Sequence, residues 1–258
     1  MFTLDCLFLT RLPCGELEQF DYIVSNPPFK LDFSDFSADL ETKENHDRFF
    51  AGVPNVPAKK KESMAIYLMF IQHIMHSLKA NGKAAIVVPT GFITAQSCID
   101  KKIRQKLVDE KMLAGVVSMP SNIFANTGTN VSIIFIDKTN NKDVVLIDAS
   151  SLGETIKDGK NQKTVLSSAE EDQIINAFNN KELIDDFSVV VSYEDIQAKN
   201  LSLSAGQYFE VKIEYTDITQ DEFLDKIINF NGSIEQLFKE SSALESKIKK
   251  NMRLLKHD

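Results

Sequence analysis

Glycine is missing from the arrangement in which nucleotide-type cofactors most need it. The 258 residues hold ten glycines, yet no two stand in a Gly-x-Gly pair. That spacing lets a strand-to-helix turn bring backbone against a cofactor. Nor does a strand and helix precede Asp21 to carry such a turn. Cysteine is scarcer still. Cys6, Cys14 and Cys98 are odd in number and irregularly spaced, which argues against a disulfide framework or a zinc site. They read as free thiols in a reducing cytoplasm. No apolar run approaches the roughly 20 residues of a membrane span. The opening Met1-Phe2-Thr3-Leu4-Asp5 lacks the basic stretch of a secretion signal. Positive charge is in deficit, with 29 Lys and Arg against 37 Asp and Glu, for a net charge of −8. A chain so charged does not grip a polyanion over a broad surface, although a local basic groove stays open to it.

What remains is an ordinary globular composition, 43% hydrophobic and 26% charged. The length suits one sizeable domain plus an extension. The informative stretch is Phe20-Asp21-Tyr22-Ile23-Val24-Ser25-Asn26-Pro27-Pro28-Phe29. Tyr22, Ile23 and Val24 form an apolar, β-branched run that predicts a buried strand. Pro27 and Pro28 stop it, because neither can donate to a ladder, and Pro27 pushes Asn26 toward an extended backbone. A polar amide is thus held at the carboxyl end of a strand, where ligands sit in open α/β sheets. An exocyclic amine on a flat ring, such as N6 of adenine, is a poor nucleophile because its lone pair is delocalised. Acceptors at its two N–H bonds would localise that pair, and the side-chain oxygen of Asn26 and the carbonyl of Pro27 can serve. Phe29 offers a π face for an extruded base. The bland alternative is a strand followed by a proline-stiffened turn.

Phe20 to Phe29 resembles the catalytic motif of amino-methyltransferases that use S-adenosylmethionine. Three further segments follow in order: Gly82-Lys83-Ala84-Ala85-Ile86-Val87-Val88-Pro89, Ile103-Arg104-Gln105-Lys106-Leu107, and Met119-Pro120-Ser121-Asn122-Ile123-Phe124-Ala125-Asn126-Thr127-Gly128. The series resembles the modification (M) subunit of type I restriction–modification systems, over roughly the whole chain and including Leu201-Ser202-Leu203-Ser204. The resemblance implies methyl transfer from S-adenosylmethionine to adenine N6 in DNA, with Asn26, Pro27, Pro28 and Phe29 as the catalytic motif. It implies cofactor contacts from Asp5, Asn26 and Pro27, and no metal. It places Phe124 against the target base opposite Phe29; a loop Phe plugging the core is the other reading. The implied partners are DNA, a specificity (S) subunit, a restriction (R) subunit and a second M subunit, with no membrane. The family would carry a sizeable N-terminal region holding the cofactor loop. The expectation is therefore a C-terminal portion, with an open strand edge at Tyr22–Ser25.

Further along, residues 30–61 lack any period and predict a long loop that could close over a base. Lys59-Lys60-Lys61 is a solvated run or a phosphate contact. A helix is predicted over Glu62–Lys79, from Tyr67, Phe70, Ile71, Ile74 and Leu78, ending at Gly82. His73 and His76 on it have no third partner for a metal. Lys83–Val88, Leu113–Met119, Val131–Asp137 and Asp143–Asp148 predict strands around a helix at Ile99–Glu110, giving a largely parallel sheet with a final hairpin-like pair. Leu152–Thr164 reads as a surface loop. Ser167 or Ser168 should cap a helix reaching Phe178. Ser188–Ser192 predicts a short strand, and Leu201–Tyr208 an extended segment. Phe223, Ile227, Phe230, Ile234, Leu237, Ser241, Leu244, Ile248, Asn251 and Leu255 alternate by four and three, a heptad seam.

These readings combine into an α/β fold: the catalytic half of a Rossmann-like methyltransferase sheet with a helical C-terminal extension. The expected divisions are 1–150 for the catalytic half, 151–216 for a peripheral region and 217–258 for a docking helix. By resemblance that helix meets the specificity subunit; folding back on its own domain is the alternative. Two other functions stay open. One is methylation of a protein glutamine or an RNA base by the same Asn-Pro-Pro-Phe chemistry. The other is a non-enzymatic fragment that keeps only the docking surface.

Overall fold

A computed structural model describes residues 18–124, 129–158, 161–210 and 219–254. The chain divides into two units, Met1–Phe209 and Glu210–Asp258. The first is built on a sheet of six strands. These are β1 (Phe20–Ser25), β2 (Leu78–Pro89), β3 (Leu113–Ser118), β4 (Val131–Asp137), β5 (Val144–Asp148) and β8 (Ser188–Val191). A separate hairpin pairs β6 (Glu154–Asp158) with β7 (Asn161–Val165). The large sheet runs in the order β1-β2-β4-β3-β5-β8. The pairs β1–β2 and β3–β5 are parallel, whereas β2–β4, β3–β4 and β5–β8 are antiparallel. The β3–β4 pair is the hairpin-like pair that the sequence predicts, but the sheet is more mixed than expected, because β4 lies between β2 and β3 and β8 also runs antiparallel to β5.

Side-chain alternation splits the core across the sheet. One face carries Ile86, Val88, Val116, Ile134, Ile136 and Leu146, all buried. Against it pack α1 (Tyr67–Ser77), α2 (Cys98–Asp109) and α4 (Tyr193–Ala198). The other face carries Val117, Val145 and Ile147 beneath α3 (Ser168–Asn180). A single row on that face runs Val24–Ala85–Phe135–Gly115–Val145–Val190. Glycine is required in it. A Cβ at Gly115 would stand 2.6 Å from Phe178 of α3 and 2.5 Å from the Val145 carbonyl. In that notch Phe178 packs on Phe135, ring centroids 4.5 Å apart. Toward β1 the same face is open. Tyr22 and Val24 are 76% and 82% exposed, and a shallow cavity of about 270 Å³ lies along them. Among the described residues β1 is an outer strand of the sheet.

Several elements differ from the sequence expectation. Residues 30–61 are not a loose loop. They form short turns of helix at Ser34–Phe36, Ser37–Leu40 and Lys43–Asn45 and bury Phe33, Leu40 and Phe49 to 4% exposure or less. Two polar side chains of α1 fasten them. Gln72 accepts from the Ala51 N–H and donates to the Gly52 carbonyl, and Arg48 Nε donates to His73 Nδ1 at 3.0 Å. The first long helix is shorter than expected, Tyr67–Ser77, because Leu78 already has extended backbone and enters β2 directly. Gly82 is consequently not a helix cap. It lies where the β1–β2 register shifts, and a Cβ there would come within 2.9 Å of the Phe20 carbonyl. Leu152–Thr164 holds the hairpin β6–β7 rather than a loop, and Ala205–Gln207 is a helical turn within the segment expected to be extended. Ser167 caps α3 in a reciprocal box with Glu170.

The second unit contains α5 (Gln220–Leu254), a helix of 35 residues. Its seam residues Phe223, Ile227, Phe230, Ile234, Leu237, Leu244 and Ile248 are each 41–64% exposed. Leu255 lies outside the described residues.

The buried hub of the first unit is Arg104, fully inaccessible on α2. It donates to the carbonyls of Leu201, Phe92 and Ala95, tying three segments together. Charge-assisted bonds of this kind contribute more than neutral ones, and losing them strands buried carbonyls. Arg104→Met should destabilise the chain by about 3 kcal/mol or more. Arg104→Lys should recover only part of that, since an ammonium lacks the planar fork that reaches separate carbonyls. Urea unfolding followed by circular dichroism reads both.

Candidate active site

The carboxyl ends of β1, β2 and β3 and the start of β4 share one edge of the sheet, as their registers require. Three segments leave from that edge: 26–29 after β1, 90–95 after β2, and 119–124 after β3. Asn26 is exposed, Pro27 buried, Pro28 exposed and Phe29 half-buried. Proline at 27 and 28 ends the ladder at Ser25, whose partner is Ile86. Asn26 makes no side-chain hydrogen bond to another described residue, and the Pro27 carbonyl accepts none from one. Asn26 Oδ1 and the Pro27 carbonyl are thus adjacent neutral acceptors at the end of a strand.

Phe29 is braced from behind. Its ring meets Tyr67 edge-on at 6.4 Å, and Tyr67 meets Phe92 edge-on at 6.1 Å. Such T-shaped pairs place a positive ring edge on a negative face. The Tyr67 hydroxyl donates to Asp100 Oδ1 at 3.0 Å, and the Ser97 hydroxyl donates to the other oxygen of Asp100. Burial, reinforced by the Asp100 charge, pushes the Tyr67 phenol well above its ordinary range, so it stays a donor. The Arg104 bonds to Phe92 and Ala95 fix the segment on which Phe92 rides. Next to it, Thr90 N–H donates to the Asn130 carbonyl at 2.9 Å, joining the β2 end to the β4 start.

The structure therefore brings Asn26, Pro27, Pro28 and Phe29 to the edge where the sequence put them. Phe124 leaves the same edge on the loop after β3 and is 37% exposed. Asp5 and the Asn126-Thr127-Gly128 turn lie outside the described residues. Sequence reasoning missed Tyr67, Ser97, Asp100 and Arg104 as supports. The only available signal was the unexplained polar residues Asp100 and Arg104, one turn apart on a helix that is otherwise apolar toward the core.

A mixed sheet with helices on both faces, an antiparallel strand inserted beside the parallel pair, and a strand-end Asn-Pro-Pro-Phe together define a methyltransferase-type α/β domain. The chain belongs to the N-6 DNA methylase family, whose sequence profile matches residues 8–217. It is 27% identical over 247 residues to the type I restriction enzyme MpnII methylase subunit of Mycoplasma pneumoniae, covering 95% of this chain and 42% of that protein. It is 28% identical over 242 residues to the MjaIX methylase subunit of Methanocaldococcus jannaschii, covering 89% of this chain and 41% of that protein. Among solved structures, it is similar to the type I restriction-modification system methyltransferase subunit from Streptococcus thermophilus. That match has 28% identity and a TM-score of 0.60, over 77% of this chain and 40% of the other. The chain thus spans less than half the length of these relatives.

The buried phenols give a test of this packing. Burial pushes Tyr193 and Tyr208 up to about 12, and Tyr67 higher still. Unfolded tyrosines titrate near ~10. A group whose pKa is raised by folding stabilises below its unfolded pKa, and that contribution is lost as pH rises toward the folded value. Stability should therefore fall from about pH 10 upward, and Tyr67→Phe should flatten the slope. The chain has no tryptophan, so ultraviolet absorbance of tyrosinate follows the titration without interference.

Proposed function

We propose that this chain forms the target-base side of a DNA methyltransferase that modifies adenine N6, acting within the modification subunit of a type I restriction–modification system. The observation that carries the reading is the pair of acceptors, Asn26 Oδ1 and the Pro27 carbonyl, unpartnered among the described residues at the carboxyl edge of the sheet. Each accepts one N–H of the extruded adenine amine. Holding both hydrogens draws the nitrogen toward tetrahedral geometry and localises its lone pair for attack. Phe29, stiffened by Tyr67, stacks on one face of the base, and Phe124 approaches from the loop after β3. The extra proton on the methylated nitrogen is acidic and leaves to solvent, so no charged base is needed.

S-adenosylmethionine supplies an electrophilic methyl group when bound. Uncharged acceptors such as Asn26 and Pro27 fit that chemistry, because a methyl group already activated on a sulfonium asks only for a better nucleophile. Asn26 and Pro27 would hold the donor's side of the site, together with Asp5 by resemblance. Sequence choice on DNA falls to a specificity subunit, in keeping with a net charge of −8. The exposed seam of α5 is the surface for that subunit, since an a/d stripe of this length buries well only against other helices.

Two measurements test the reading. In the methylating assembly, Asn26→Ala should lower kcat by on the order of 100-fold or more with the affinity for DNA little changed. Undiminished methylation would end the assignment of Asn26. For the docking surface, an Ile234→Asp and Leu237→Asp double variant should lose copurification with the specificity subunit. The unfolding midpoint of the first unit should stay where it was.

A further inference from the structure

Hairpin β6–β7 is polar, separate from the main sheet and unexplained by the chemistry above. Its position is informative. Because β5 runs parallel to β3, the segment that leads into the hairpin leaves from the same edge as the Phe124 loop. The two are joined at their exits, with the Ala149 N–H donating to the Ser118 carbonyl at 2.9 Å. They meet again further out, where the Thr164 N–H of β7 donates to the Asn122 carbonyl at 2.9 Å. Asn122 is left-handed, φ 55°, a conformation a short amide side chain tolerates better than most. It bends the loop two residues before Phe124.

The root of the hairpin is locked as well. The Glu170 carboxylate accepts from the Gly153 N–H at 2.7 Å, the Ser167 N–H at 2.7 Å and the Ser167 hydroxyl at 2.8 Å. Those bonds hold its carboxyl below the usual range. Gly153 has φ +84°, and a Cβ there would stand 2.7 Å from Thr164 Cγ2. Thr164 itself is 4% exposed. A continuous path of hydrogen bonds and close packing therefore runs from the cap of α3 through Gly153 and Thr164 to Asn122.

We propose that hairpin β6–β7, rooted by Glu170, is a positioning element that sets the target-base loop and hence where Phe124 stands. This deepens the reading of Phe124 as a base contact and rests on it. Glu170, Gly153 and Thr164 are positioning residues that touch no substrate. Their effect should fall on capture of the base rather than on the methyl-transfer step.

The test has two stages. In the full chain, hydrogen exchange of the 119–124 segment is compared with that of β2 as an internal reference. Glu170→Ala and Gly153→Ala should each speed exchange of the loop by about threefold or more with β2 unchanged. Glu170→Gln, which keeps one acceptor oxygen for Gly153 but turns the other into a donor facing the Ser167 N–H, should fall between the parent and Glu170→Ala. In the methylating assembly, DNA carrying 2-aminopurine at the target position reports extrusion by its fluorescence. The two alanine variants should weaken that signal and raise KM for DNA several-fold more than they lower kcat, as should Phe124→Ala. If the loop does not loosen, or loosens with base capture intact while Phe124→Ala still impairs capture, the brace is overturned and the function stands. If Phe124→Ala leaves capture intact, the reading of Phe124 fails and the brace falls with it.

Discussion

The parallel pairing of β1 along β2 is the constraint on which the site depends. Among the described residues β1 has no other strand beside it, so the direction in which Asn26 is presented is set by one ladder. Tyr22 to Ser25 sit in register with Lys83 to Ile86. Gly82, where the register shifts, lets the Phe20 carbonyl come within a distance no side chain would permit. The salt bridge between Lys79 and Asp21, 2.7 Å and exposed on both sides, adds little to that. It is backbone pairing and the missing Cβ that bring the strand in at the right height, and Pro27 that then frees the next two acceptors from the ladder.

Behind the strand end, rigidity comes from aromatic edges and one buried cation. Phe29 leans on Tyr67 and Tyr67 on Phe92, while Arg104 holds the Phe92 carbonyl from below. A burial this complete is costly for a guanidinium unless its donors are satisfied. Here three carbonyls do so, and Asp100 lies close enough to favour the charge. On the proposed reading, the arrangement lets neutral acceptors serve catalysis. Preorganised dipoles are effective only if they need not move when the reaction occurs, and this layer removes the freedom of the segment on which they depend.

Local pattern made some of this legible and tertiary pairing hid the rest. Strand β4 and the capped helix α3 follow from alternation and from Ser167 with Glu170, signals contained within a few residues. The stop at Asn26 was legible because proline chemistry is local. The packing of residues 30–61 was not. Its buried Phe33, Leu40 and Phe49 lie in and between short helical turns with no common period, and its fasteners Gln72 and His73 sit on a later helix. Hairpin β6–β7 escaped because Thr155 and Lys157 give it no apolar alternation. Its stability is in backbone bonds, the Thr155–Thr164 pair and the Glu170 root. The brace from Tyr67 to Asp100 joins distant helices, and only the fold shows it.

The face of the sheet beneath α3 is not equally closed along its width. Over β3 and β4 that face is closed by Phe178, seated in the notch that Gly115 leaves. Over β1 it is open, with Tyr22 and Val24 mostly in water. Burying two such side chains is worth roughly 1.5–3 kcal/mol each, a large share of what one outer strand can lose before it frays. The strand that ends at Asn26 is thus the least buried of the six in the main sheet. The loop that carries Phe124 is tied down within the chain by β6–β7. An apolar surface laid on Tyr22 and Val24 would bury β1, whereas the segment before Phe124 is held by β7, so the two sides of the proposed base site rest on different supports.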